Sequence, residues 1–127
     1  MEKFLYKKTL VGIRIKKLAK GSVPITDSTE SIQVVGLKHP KGAYLKAHTH
    51  KPRKRVISRL QEGLLVRRGK IKIDLFEPEA WKKFKSVTLN AGEMFLLLNG
   101  GYGIHMLDDA ELFEFKNGPF LEDKVLL

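Results

Sequence analysis

An all-β domain, built as a sandwich or a barrel, is what this sequence predicts, and three observations carry that reading. Apolar residues alternate with polar ones or come in short runs, none longer than Met94–Leu98, which is the pattern of strands. Turn-forming Gly, Pro, Asn and Asp punctuate the chain about every eight to twelve residues. Helix signals are few. With 127 residues, 43% of them hydrophobic, the chain has room for one domain with a core of its own, spanning residues 1–127.

The elements follow in order. Leu10–Ile15 alternates with basic residues and reads as a strand, and Ser31–Leu37 as another. His39-Pro40-Lys41-Gly42 is a turn, since proline pre-sets one dihedral and glycine permits a positive one. Ala43–His50 alternates and is predicted as a strand; the N-terminal strands occupy residues 1–40 and the motif region, to which this strand belongs, spans 42–109. Gly63–Arg67 and Lys70–Phe76 flank Arg68-Gly69 and are expected to form a hairpin. Glu77–Lys85 reads as a loop with a helical turn. Ser86–Leu89 and Glu93–Leu98 are strands, Asn99–Gly103 is a glycine-rich turn, and Ile104–Leu107 and Glu111–Lys116 are strands around Asp108-Asp109. Residues 117–127 form an irregular tail.

Composition excludes some chemistry. The chain has no cysteine, so disulfides, zinc–thiolate sites and cysteine nucleophiles are ruled out. No signal-peptide pattern opens it, and no apolar run is long enough to span a bilayer, so a soluble, cytoplasmic protein is expected, without a membrane partner. The net charge of +10 reads chiefly as a lysine-rich solvated surface. Nucleic acid is not an expected partner, because no aromatic residue is interleaved between Lys51 and Gln61 for base stacking.

Four histidines are present, and two sit two apart, at His48 and His50. Strand alternation sends both to one face together with Tyr44 and Lys46, roughly 7 Å apart along the chain. Around them the spacing is specific. Gly42, five residues, His48, one residue and His50 are followed by Glu62, six residues and Gly69; a second block runs from Gly92 through Gly100 to His105 and Asp109. This arrangement resembles the two-block signature of the cupin superfamily, over somewhat more than half the chain. It departs from that pattern in four places. Eleven residues separate His50 from Glu62 where the family has three or four, Leu98 stands for the family's proline, His105 comes two residues late, and Asp109 stands where the family has asparagine.

The resemblance implies a small single-domain cupin, a jelly-roll β-barrel of two antiparallel sheets. It implies one divalent transition metal held by His48, His50, Glu62 and His105. Three imidazoles and a carboxylate form a nitrogen and oxygen set suited to Fe, Mn, Ni, Co or Zn. The long gap leaves open whether Glu62 or Gln61 faces the metal. Within that gap Arg53, Arg55 and Arg59 are candidates for binding an anion, or belong to a solvated loop. Catalytic candidates are Tyr102, Lys46 and Glu111. Phe113 and Phe115 are expected in the core, and if Glu111 shares their face it is a buried carboxylate beside the site. The end of the chain, from Glu114 to Phe120, is similar to the ends of small cupins found alongside sugar and surface-polysaccharide metabolism.

The functional expectation is metal-dependent chemistry on a small anionic molecule such as a sugar phosphate or nucleotide-linked sugar, by isomerisation, epimerisation or dioxygenation. The alternatives are a non-catalytic binding or sensing module and, third, a basic nucleic-acid binder. A homodimer is expected, with the segment Met1–Lys17 lent to the partner's sheet.

Overall fold

The computed structural model describes residues 1–127, as ten strands and no helix. The strands are β1 (Glu2–Tyr6), β2 (Thr9–Ile15), β3 (Gly21–Pro24), β4 (Val35–Lys38) and β5 (Glu62–Arg68). They continue with β6 (Lys70–Phe76), β7 (Lys83–Asn90), β8 (Met94–Leu97), β9 (Gly101–Met106) and β10 (Glu111–Lys116). All pairings are antiparallel. One sheet has the order β1-β2-β8-β5-β10, a second the order β7-β6-β9, and β3 pairs with β4 alone. None of the sheets closes into a barrel.

Alternation decides which side chains meet. Leu64, Val66 and Phe95 of the five-stranded sheet pack with Ile71, Ile73, Leu75, Val87 and Leu89 of the three-stranded sheet in one buried cluster. Each such side chain contributes about 1.5–3 kcal/mol when fully buried. A second cluster joins Ile13, Ile15, Leu96 and Leu98 to Ile32. The apolar run of β8 is thereby explained. Phe95 and Leu97 belong to the first cluster, Leu96 and Leu98 to the second, so the strand is covered on both faces and shows no alternation.

Several expectations are corrected. The Arg68-Gly69 hairpin does not form, because β5 and β6 lie in different sheets and a single residue, Gly69, carries the chain from one to the other. Gly69 has φ +83°, and a Cβ there would stand 2.6 Å from the Asp109 carbonyl oxygen. Ser31–Leu37 is a strand only at its end, in β4; before it, Asp27 accepts from the backbone and hydroxyl of Thr29 and forms a turn. The glycine-rich turn shrinks to Asn99-Gly100, and Gly101 already opens β9. Glu77–Lys82 is no helical turn but a loop gathered around the buried Glu77 carboxylate, which accepts from the backbone N–H groups of Glu79, Ala80 and Lys82.

Ala43–His50 is not a strand. Its backbone joins no sheet, making only the local turn bond from Ala43 N to Pro40 O, and every residue in it is exposed. One face carries Tyr44, Lys46, His48 and His50, and the other has Leu45 as its single large apolar residue. So little apolar surface does not offset the entropy of ordering the chain. Phe113 and Phe115 are exposed at 60% and 37%, because Leu112 supplies the core-facing contact of β10 instead. Glu111 is exposed as well, beside Arg68 at 3.4 Å and Arg67 at 3.8 Å. At the N-terminus β1 pairs with β2 and β2 with β8. No helix is long and apolar enough to cross a membrane.

Two substitutions test this packing. Phe95→Ala is expected to cost about 3–5 kcal/mol in urea unfolding. Gly69→Ala is expected to cost more than about 1 kcal/mol, from the positive φ and the backbone contact together; stability equal to wild type would mean the β5–β6 crossing is placed wrongly.

Candidate functional site

Strand parity brings four polar side chains to the rim where the two sheets meet. On β5 the buried Leu64 and Val66 share their face with Glu62. On β10 the core-packed Leu112 shares its face with Glu114 and Lys116, and the register sets Lys116 opposite Glu62. From the other sheet, Tyr102 and Ile104 of β9 pack against the core. The Tyr102 hydroxyl donates to Glu114 Oε2 at 2.9 Å, spanning the two sheets. Lys116 Nζ lies 3.2 Å from Glu114 Oε1 and 3.5 Å from Glu62 Oε1.

The electrostatics follow from this geometry. Burial, with the Glu62 and Glu114 carboxylates added to it, pushes the Tyr102 phenol well above its ordinary range, so it stays protonated and acts as a donor. Hydrogen bonding to Glu114, its charge, and that of Glu62 raise Lys116 and keep it cationic. Beside this cluster a groove of about 580 Å³ runs between residues 57–60 and 116–124, with Arg59 and Lys116 in its lining. Asn117 fixes its walls: its Oδ1 accepts from Gln61 N at 3.0 Å and its Nδ2 donates to Arg59 O at 3.2 Å.

Gln61 and Glu62 can now be told apart. Gln61 is buried, accepts from Ile32 N at 2.8 Å, and donates to Leu98 O and to the Glu30 carboxylate. Its amide is fully engaged in holding the 30–32 segment on the sheet. Glu62 takes the rim face.

His105 goes elsewhere. It lies one position from Ile104, so alternation turns it to the outer face of the three-stranded sheet, where its Nε2 sits 2.6 Å from Asp74 Oδ2. Asp74 also accepts from Ser86 Oγ at 2.7 Å, with Lys83 Nζ at 3.8 Å. The Ser86 and His105 hydrogen bonds and the Lys83 charge lower the Asp74 carboxyl to about 2. The carboxylate stands between serine and histidine, so the histidine is not placed to activate the serine as a nucleophile.

The remaining candidates lie in the exposed segment. The His48 and His50 rings are 5.2 Å apart, and His48 Nδ1 is 3.0 Å from Lys46 O. Arg55 Nη1 donates to Arg53 O at 3.5 Å, and both arginines face solvent. His39 is bonded to Ser22 Oγ at 2.9 Å. The histidines and Glu62 suit a borderline divalent ion in kind, but no three His, Asp or Glu side chains converge as a set that would hold one.

Sequence reasoning missed Glu114, Lys116 and Asp74. The parity of Leu112 was the available signal for the first two, and the strand Ile71–Leu75, apolar except for Lys72 and Asp74, for the third. Compared with family models, with curated proteins and with solved structures, the chain matches none.

Asp74 predicts an acid response. A carboxyl lowered from 3.8 to about 2 on folding contributes stability that is fully present above pH 3.8 and is lost as pH falls through about 2. Asp74→Asn is expected to lower the urea midpoint at pH 7 and to shrink its fall between pH 4 and 2. An unchanged fall would show that Asp74 does not govern it. Gln61→Ala, which leaves buried partners unpaired, is expected to cost about 1–3 kcal/mol, read in the same unfolding assay.

Proposed function

We propose that this chain is a small cupin-type protein, a homodimer, that binds an anionic small molecule such as a sugar phosphate or nucleotide-linked sugar at the rim beside Tyr102. The observation that carries this is the convergence of Tyr102, Glu62, Glu114 and Lys116 from two facing sheets, next to a groove holding Arg59. The connectivity is in keeping with a jelly roll. From β5 onward the chain passes between the two sheets four times, at β5–β6, β7–β8, β8–β9 and β9–β10.

The groups at the rim suit proton transfer. Arg59 and Lys116 attract the anionic group, Arg59 in the bidentate way guanidinium allows. The Tyr102 phenol donates to an oxygen of the substrate, while Glu62 or Glu114 takes a proton from the adjacent carbon and delivers it to the neighbouring carbon, as an isomerase requires. In an epimerase one carboxylate would take the proton and a second group would supply one to the opposite face of the same carbon. Oxygen activation by a dioxygenase would need the metal. The proposed metal ligands are His48, His50 and Glu62; His105 would have to leave Asp74 and the outer face to join them as the fourth. β9 is an edge strand beside the rim, and the strand-like alternation of Ala43–His50 suits such an edge. A bound Fe, Mn, Ni, Co or Zn ion would supply Lewis acidity or oxygen activation there.

A second reading, a binding or sensing module without turnover, is favoured by one observation. Both rim carboxylates are already engaged, by Lys116 and by Tyr102.

Elemental analysis of untagged protein tests the metal. One equivalent of a divalent transition metal is expected, lost in His48→Ala and His50→Ala; no metal, and no uptake on titration, would dismiss it. Binding of a hexose phosphate by calorimetry tests the rim. Arg59→Ala with Lys116→Ala is expected to weaken it about tenfold or more, and Tyr102→Phe to reduce turnover with binding retained. Retained binding in the double variant would remove the rim from consideration. Light scattering at micromolar concentration is expected to give the dimer mass, and a monomer would refute that part.

A further inference from the structure

Eight of the chain's 24 Lys and Arg residues, and none of its 14 Asp and Glu, lie in residues 31–61, so this quarter of the sequence carries +8 of the net +10. The fold leaves that charge in the open. Every residue from Leu37 to Leu60 is exposed, and from His39 to Leu60 the backbone is in no strand or helix. Elsewhere seven of the sixteen cations are paired with carboxylates, Lys7, Arg14, Lys16, Arg67, Arg68, Lys83 and Lys116. In this segment the structure has no ion pair at all. A solvated face that serves only solubility mixes both signs; a stretch of one sign, extended and unpaired, is the footprint of a polyanion site.

The chemistry narrows the polyanion. Lys51-Pro52-Arg53-Lys54-Arg55 places four cations in five residues, and the arginines can bond phosphate oxygens bidentately and stack on bases. Tyr44, 77% exposed between Lys41 and Lys46, adds an aromatic face. That residue lies outside the Lys51–Gln61 stretch whose lack of aromatics weighed against nucleic acid, but inside the exposed arm as folded. The arm itself holds no helix or ribbon to enter a duplex groove. The large apolar side chains are Leu45 and the adjacent pair Val56-Ile57, too few and in no helix to build an amphipathic face for a membrane.

We infer that residues 41–59 form a binding arm for single-stranded nucleic acid. The arm holds the phosphodiester backbone with Lys41, Lys46, Lys51, Arg53, Lys54 and Arg55 and stacks a base on Tyr44. This does not rest on the rim reading, because neither Glu62 nor Tyr102 takes part in it.

Fluorescence anisotropy with labelled single-stranded RNA and DNA of about 20 nucleotides tests it on the full chain. About five neutralised phosphates, at roughly 0.7 each, give a log–log salt slope near −3.5, so affinity is expected to fall about 100-fold between roughly 50 and 200 mM salt. Changing Lys51, Arg53, Lys54 and Arg55 together to Ala is expected to flatten the slope by about 2–3. Tyr44→Ala is expected to weaken binding about fivefold or more at an unchanged slope. All these positions are exposed, so thermal melting should not move. The RNA and DNA arms show which sugar is preferred, and binding to either supports the site. Three results would overturn the inference: no salt-dependent binding to either strand, full binding by the fourfold variant, or capture by phosphatidylserine vesicles with the oligonucleotides left free. A duplex held as tightly as the single strand, indifferent to Tyr44→Ala, would overturn its single-strand assignment.

Discussion

Phe95 and Leu97 leave β8 on one side and Leu96 and Leu98 on the other, and both pairs have to be covered. That demand arranges the rest of the molecule. On one side the three-stranded sheet supplies Ile71, Ile73, Leu75, Val87 and Leu89. On the other, no further sheet is stacked; Ile32, with Ile25 and Val34 around it, closes over Ile13, Ile15, Leu96 and Leu98. The cover is tied down by polar means, since the buried Gln61 amide holds Ile32 and Leu98 at once. Leaving that amide unpaired would be costly, so its position is strongly specified.

The same arrangement creates the rim. Glu62 follows Gln61, and strand alternation gives neighbours opposite faces, so committing Gln61 to the outer cluster commits Glu62 to the inner one. Glu114 and Lys116 arrive beside it through the β5–β10 register, and Tyr102 comes from the other sheet. The result is a compact group with two carboxylates, an ammonium and a phenol. Burial, with the carboxylates added to it, keeps the phenol protonated, and the carboxylates keep the ammonium so. A donor and acceptors fixed side by side in this way are what proton transfer on a bound molecule needs.

Charge is divided as sharply as the core. Outside residues 31–61 the chain is nearly neutral, and some of its cations are matched locally, as in Arg67 and Arg68 around Glu111. Inside that stretch, like charges repel and no carboxylate is within reach. That repulsion and the weak apolar face of Ala43–His50 both favour a segment standing free of the sheets.

Most strands could be read from local alternation, because a strand's two faces are written in every second residue. β10 runs over Glu111–Lys116 as the sequence implies, and β2, β6 and β8 differ from expectation by a residue or two at most. The absence of helix and of cysteine chemistry also follows from sequence alone. Which sheet a strand joins does not, because period two is the same in either sheet; β5 and β6 look like a hairpin until the one-residue link at Gly69 sends them apart. Facing is likewise a tertiary matter. Phe113 and Phe115 have the composition of a core face, yet Leu112 won the inner position and took Glu114 and Lys116 with it. The candidate site divides along the same line. His48, His50 and Glu62 stand out by type and spacing, whereas only the fold assigns His105 to Asp74 and Tyr102 to the rim, because one residue of strand offset separates the inside of a sheet from its outside.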